Sequence, residues 1–275
     1  MGVEERVAEH YSRSGLETAI LAALRTAGKD VERLAPDDLS GVDEFHTGWK
    51  PVTVEIARDL GLAPGMRVLD IGSGLGGPAR HFAAAHGCEV DGVDLTPDYV
   101  ACANALTRRC GLADRVRFHQ GSALALPFAD GQFDRATLIH VGMNVTDKAG
   151  LFAEARRVLK PGGLFCVYDL MRRRPDPIPY PMPWAASAET SFVETPETYR
   201  ALLAAAGFAI VEEHDRRAFC LALWRRLRET AARQGPPPLS LHVLMGPATP
   251  QRVGNVMAAL EQGLLAPVEM IARAA

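Results

Sequence analysis

The segment Asp70-Ile-Gly-Ser-Gly-Leu-Gly-Gly77 carries the most specific chemistry in the chain. Gly72, Gly74 and Gly77 fit the pattern G-x-G-x-x-G, and Asp94 follows Gly72 by 22 positions. Glycines at 72, 74 and 76 let the loop turn tightly and bring its backbone close to a ligand, because no Cβ intervenes. A carboxylate at the end of the next strand offers two acceptor oxygens to both hydroxyls of a ribose. The arrangement points to a nucleoside-bearing cofactor; the plainer readings are a ligand-free turn and, for Asp94, a cap on the helix that opens near Pro97.

Asp70 helps to choose the cofactor. Two residues before Gly72, it stands where a pyrophosphate would approach a helix N-terminus, and like charges repel there. S-adenosylmethionine has no phosphate and carries a sulfonium and an α-ammonium, which an anionic neighbour suits. The competing role for Asp70 is to cap the N–H groups of its own loop. The reductase pairing of Tyr with Lys four residues on is absent, and only four lysines occur, against 26 arginines. An NAD(P)-dependent oxidoreductase using the glycine loop stands as the enzymatic alternative, and a non-catalytic cofactor-binding protein as the other.

His140 follows an apolar run, Ala136–Ile139, at a position where strands of such sheets present ligands. An imidazole with an ordinary pKa near 6.5 takes up a proton at neutral pH. It is the first candidate for catalysis or substrate orientation, against a histidine merely satisfied by a loop carbonyl. Trp49 and Trp184 offer aromatic faces to a cation, and Arg172–Arg174 offer bidentate donors to a carboxylate. Both sets read equally as boundary residues and a solvated basic turn.

These residues need a frame. Between 66 and 170, strand-like and helix-like segments alternate, the pattern of a parallel α/β sheet. Strands are expected at Arg67–Ile71, Glu89–Val93, Val116–His119, Asp134–Ile139 and Leu164–Asp169. Helices are expected at Pro78–His86, from Thr96 to about Cys110, and at Asp147–Leu159. Residues 1–50 read as a polar helical cap broken near Gly28, Pro36 and Gly41. Proline at every second position from 175 to 183 excludes helix and implies an extended, stiff stretch. Beyond it we expect a helix at Pro196–Ala206, a strand at Phe208–His214 and a helix at Ala218–Arg233. A linker at Gly235–Pro238, a last strand at Leu239–Met245 and a closing helix over Pro250–Ala274 follow.

The motifs then match a family. Val68-Leu-Asp-Ile-Gly-Ser-Gly74 resembles motif I of class I S-adenosylmethionine-dependent methyltransferases, and Val93-Asp94-Leu95 resembles their second-strand acidic motif. Gln120–Asp134 and Arg157-Val-Leu-Lys-Pro-Gly-Gly163 resemble two later motifs, so four stand in order across roughly 100 residues. His10-Tyr11-Ser12 and Asp43-Glu-Phe-His46 look like the front segment of the small-molecule (methyltransferase type 11) group, and the whole is most similar to the sarcosine/dimethylglycine N-methyltransferase-like branch. The resemblance implies a Rossmann-like α/β fold, a seven-stranded mostly parallel sheet with helices on both faces. It implies an N-terminal cap over residues 1–50, a methyltransferase domain over 51–275, and a substrate-side proline-rich insertion at 171–195.

It also implies roles. Cofactor contacts are expected from Asp70, Ile71, Gly72, Ser73, Gly74, Gly76, Asp94, Leu95, Ser122, Ala123, Ile139 and His140, with Tyr11 and His46 as lid residues of the catalytic set. Ser122-Ala123 stands where the family commonly has an Asp followed by a small residue as its adenine contact. Strand-four residues Ile139 and His140 are expected beside the sulfonium. The activity implied is methyl transfer by in-line displacement to a small-molecule acceptor, with an amine nitrogen favoured and no metal required. Nucleic-acid adenine methylation is disfavoured, because Gly142-Met-Asn-Val-Thr146 lacks the Asn/Asp-Pro-Pro-aromatic sequence of those enzymes.

Composition agrees with this frame. The 275 residues carry 30 basic and 33 acidic side chains, a net charge of −3 that gives no long-range pull on polyanions. No apolar run approaches the roughly 20 residues of a membrane span. The charged start Met1–Arg6 lacks an apolar signal core. Five cysteines without a metal or redox spacing imply a reduced, cytoplasmic protein.

Overall fold

The computed structural model describes residues 2–235 and 237–275; Met1, and Pro236 of the expected linker, lie outside them. The chain opens with α1 (Val3–Tyr11), α2 (Leu16–Thr26) and a short α3 (Ser40–Asp43). Helix α4 (Trp49–Asp59) then leads into β1 (Arg67–Ile71), α5 (Gly77–His86), β2 (Glu89–Asp94), α6 (Pro97–Arg109) and β3 (Val116–Gln120). Next come β4 (Phe133–Ile139), α7 (Lys148–Val158), β5 (Leu159–Arg172), α8 (Pro196–Ala205) and β6 (Phe208–Asp215). The chain finishes with α9 (Arg217–Gln234), α10 (His242–Met245), α11 (Thr249–Glu261) and β7 (Leu265–Ala274).

The seven strands form one sheet in the order β3-β2-β1-β4-β5-β7-β6. The first five pair in parallel, and β7 enters antiparallel between β5 and β6. Interior parallel strands are covered on both faces, so they read as apolar runs rather than alternations. Local signals set the helix ends. Gly76 and Gly87 bracket α5 with positive φ, Pro78 sits in its first turn, and the Asp147 side chain caps α7 by accepting from the Gly150 N–H.

Three expectations need correction. Leu239–Met245 is not a strand: it holds a bend and α10, whose Leu244 and Met245 bury against Leu16, Ile20 and Leu24 of α2. It pairs with neither edge of the sheet, which are β3 and β6. The closing helix stops at Glu261, Gly263 turns with φ +70°, and Leu265–Ala274 is a strand. That strand is buried on both faces along most of its length, so its periodicity is indistinguishable from a buried helix. Gly41 lies inside α3 rather than in a break.

The proline stretch is not helical, as expected, and it is packed. Ile178, Met182 and Trp184 bury with Val256, Met257 and Leu260 of α11 in one apolar cluster. No helix among the described residues is long and apolar enough to cross a membrane.

Candidate active site

A cavity of about 610 Å³ opens along the carboxyl edge of β1, β2 and β4, beneath α1. Its floor is the glycine loop. Gly72 has φ +72°, and a Cβ there would stand 2.3 Å from a Val141 methyl. Gly74 has φ +53° with nothing within 4 Å of its Cβ position, so its backbone is open to the cavity. Asp94 fixes this loop: Oδ2 accepts from the Gly74 N–H at 2.8 Å, and Oδ1 accepts from the Thr96 N–H at 2.9 Å. The ribose-binding and helix-capping readings are therefore compatible, since each carboxylate oxygen has a second lone pair. Burial raises the Asp94 pKa above its ordinary value.

The lining is anionic. Glu4, Glu5, Asp43, Asp70, Asp94 and Asp147 reach the cavity, and no lysine or arginine does among the described residues. Asp70 does not cap its loop. It accepts from the Thr137 hydroxyl at 2.7 Å, and burial, then the charges of Glu44 and Asp94, push its pKa up to about 7. Asp43 is held from behind by Arg80, which is fully buried and donates to Oδ2 at 2.7 Å. Oδ1 of Asp43 has no partner, and neither does the buried Ser73 hydroxyl. Burial pushes Asp43 up to about 6 despite the guanidinium. Unpaired buried oxygens at the rim of a cavity are what a hydrogen-bond-donating ligand would satisfy.

At the far end stand two imidazoles. His140 sits just beyond β4 with φ +55°, a left-handed backbone that costs a non-glycine residue energy. Three hydrogen bonds hold it there. Its N–H donates to Tyr168 O at 2.8 Å, and the Asp169 carboxylate accepts from the N–H groups of Val141 and Gly142 at 3.0 Å each. Tyr199 donates to the same carboxylate at 2.8 Å. His140 Nε2 is buried without a partner, and burial, with His46 nearby, holds the ring well below the ordinary imidazole pKa. It is therefore neutral at neutral pH, and its ring lines the cavity wall. His46 lies 6.0 Å away, ring to ring, and is itself anchored. Its Nε2 is 2.9 Å from Glu44 Oε2, and the Thr53 hydroxyl donates to the same oxygen at 2.5 Å.

Helix α1 closes the top. Tyr11 donates to Asn144 Oδ1 at 3.0 Å, Asn144 donates to Trp184 O at 3.0 Å, and His10 Nε2 lies 2.9 Å from Pro183 O. Ser122 donates to the Glu4 carboxylate. One network thus ties α1 to the strand-four tail, the proline stretch and the strand-three tail.

Most sequence-derived site residues converge here: Tyr11, His46, Asp70, Gly72, Ser73, Gly74, Asp94, Leu95, Ala123, Ile139 and His140 all line the cavity. Three do not. Ile71 is fully buried in the core beneath the sheet edge. Gly76 is needed because a Cβ would meet the Phe118 ring at 2.2 Å, which is a packing role. Ser122 spends its hydroxyl on Glu4 and on the Leu124 N–H. Among the further candidates, Trp49 stacks on Trp224 at 6.1 Å, Arg173 and Arg174 are exposed, and Arg172 bonds the Asp176 carbonyl. Sequence reasoning missed Glu44 and Asp43 as individual residues, and Asn144 and Asp169. Only Asp169, a carboxylate closing an apolar strand, carried a visible signal.

Comparison with known proteins places this geometry. Residues 69–167 match the family described as Methyltransferase domain, and that segment is a methyltransferase domain. Over 114 residues the chain is 40% identical to sterol 24-C-methyltransferase ERG6B of Gibberella zeae, covering 42% of this chain and 30% of that protein. The chain thus aligns with about a third of that relative's length. Among solved structures, the [4+2]-cyclase SpnF superposes with TM-score 0.70 at 24% identity, over 98% of this chain and 96% of its own. Phosphoethanolamine N-methyltransferase 2 of Haemonchus contortus, with S-adenosyl-L-methionine, gives 0.69 at 21%, over 84% and 54%. The geranyl diphosphate C-methyltransferase of Streptomyces coelicolor, with S-adenosyl-L-homocysteine, gives 0.70 at 18%, over 100% and 98%. At these identities the likeness is one of fold, and that fold serves three different chemistries.

Proposed function

We propose that this methyltransferase domain binds S-adenosylmethionine in the 610 Å³ cavity and transfers its methyl group to a small-molecule acceptor. One observation carries the reading: the cavity gathers six carboxylates and, among the described residues, no lysine or arginine. A pyrophosphate cofactor would meet repulsion there, whereas a sulfonium with an α-ammonium meets attraction. The residues fit the group in detail. Gly74 leaves room for its methionine half, Asp43 Oδ1 and the Ser73 hydroxyl lack partners, and Asp94 keeps free lone pairs for ribose. Adenine would lie against Gly121, Ala123 and Leu124, which line the cavity from the strand-three tail.

When bound, the cofactor supplies an electrophilic methyl carbon, with S-adenosylhomocysteine as the product left behind. The chain's part is to hold the acceptor in line and exclude water. Orientation of this kind is worth about 7–11 kcal/mol of barrier. His140, neutral and lining the cavity, is placed to orient the acceptor rather than to take up its proton. A positioned base adds about 10²–10⁴-fold, and only for acceptors that arrive protonated. Tyr11 and the rest of α1 form the cap, with residues 1–50 as a cover over the cleft and 51–275 as the catalytic body. An amine nitrogen is the acceptor atom implied by resemblance.

The test is calorimetry. S-adenosylmethionine should give saturable heat at one site per chain, and NADPH none. Heat with NADPH and none with S-adenosylmethionine would return the glycine loop to the oxidoreductases.

A further inference from the structure

Beyond the imidazole pair lies a second, smaller chamber of about 50 Å³. It shares Phe45, His46, His140, Pro183 and Trp184 with the cofactor cavity, so the two meet across those five side chains. Its far wall comes from elsewhere in the chain: Leu170 of β5, and Val253, Val256 and Met257 of α11. Of its twelve lining residues nine are apolar; the exceptions are His46, Thr47 and His140.

We infer that this chamber is the acceptor subsite and that it selects an acceptor with a short, branched apolar end. The inference rests on the cofactor reading and adds the substrate class. Three physical points carry it. A cavity of this size holds a group of roughly three to four carbon atoms, taking about 10–15 Å³ per probe sphere. Its walls supply no lysine, arginine, aspartate or glutamate, so a compact zwitterionic amine entering it would lose hydration without gaining a partner. Two of the three polar residues, His46 and His140, sit where the chamber adjoins the cofactor cavity. There the His140 ring, whose Nε2 is unpartnered, and the anchored His46 ring line both spaces. An apolar end seated against Leu170 and Met257 would leave the reactive atom between these rings and the cofactor cavity. The proline stretch, packed through Ile178, Met182 and Trp184, closes the chamber with Pro183 and Trp184, which gives it a reason to pack rather than cross the surface.

The experiment uses the full chain saturated with S-adenosylhomocysteine, with two probes titrated by NMR: 3-methyl-1-butanol and sarcosine. The alcohol should bind, with intermolecular contacts to the Met257 and Val256 methyls, and sarcosine should not. Val253→Phe and Met257→Trp, which fill the chamber from a half-buried and a buried position, should each weaken the alcohol at least tenfold. S-adenosylhomocysteine affinity should stay within about twofold. Because Met257→Trp risks overpacking, Val253→Phe and the retained cofactor affinity report that the fold survives. Sarcosine bound among α11 methyls, or alcohol binding unaltered in folded variants, would overturn the proposal. Failure of S-adenosylhomocysteine to bind the wild type would sink the cofactor reading instead, a separate result.

Discussion

The two ends of the site are built by different means. The cofactor end is made by contiguous backbone: the turn after β1, the end of β2 and the tail of β3 supply its floor within about fifty residues of sequence. The acceptor end is made by side chains from Phe45, His140, Leu170, Trp184 and Met257, brought together from the whole length of the chain. The first end demands glycine and carboxylate at fixed places, because only those shapes admit a ligand to the backbone. The second demands only apolar volume, which many sequences supply. The cofactor end is therefore expected to tolerate little change, and the acceptor end to change its ligand while keeping its fold.

The largest effect should come from the cofactor end. Asp94 holds the Gly74 loop and has lone pairs left for a ribose. Asp94→Ala should weaken S-adenosylmethionine by about 10- to 100-fold, the range for losing hydrogen bonds to a charged group. Calorimetry checks it, with thermal unfolding as the control for the two backbone bonds that the substitution removes. Unchanged affinity would remove the ribose role and leave Asp94 as a cap alone.

The same contrast explains how much was legible in the sequence. The glycine loop, Asp94 and the five parallel strands were readable because local geometry dictates residue type there. The antiparallel insertion of β7 was not. Leu265–Ala274 carries no alternation because both its faces are covered, and its partners β5 and β6 lie far off in sequence. Glu44 was hidden for a related reason: one carboxylate in a polar segment looks solvated until folding buries it beside His46 and Thr53. His140 was readable by position, but its neutral state was not, because that follows from burial and from His46.

A middle-sized effect should sharpen the boundary between the two ends. Glu44 lines neither cavity, yet it anchors the ring that packs against His140. Glu44→Gln keeps the shape and one acceptor oxygen while removing the charge. It should lower turnover about tenfold with any acceptor the wild type methylates, shift the ¹⁵N resonances of the His46 ring, and leave S-adenosylmethionine affinity within about twofold. Weakened cofactor binding with unaltered turnover would place Glu44 on the cofactor side instead.

The smallest effect tests where the cofactor end stops. Ser122 was expected at adenine, but its hydroxyl is committed to Glu4 of α1 and to the Leu124 N–H. Those two placements make different demands. Deleting a hydrogen bond to adenine inside the cavity would strand a polar group without a partner and cost at least about tenfold in affinity. A tether to an exposed carboxylate on the first turn of α1 is a solvent-accessible bond, worth no more than about 1 kcal/mol. Ser122→Ala should therefore weaken S-adenosylmethionine by no more than about threefold, and speed amide exchange in α1 while leaving α5 and α6 unaltered. A tenfold loss with exchange in α1 unchanged would return Ser122 to the base. In the expected case, the cofactor end proper stops at the backbone of Gly121 and Ala123, and everything above it belongs to the cap.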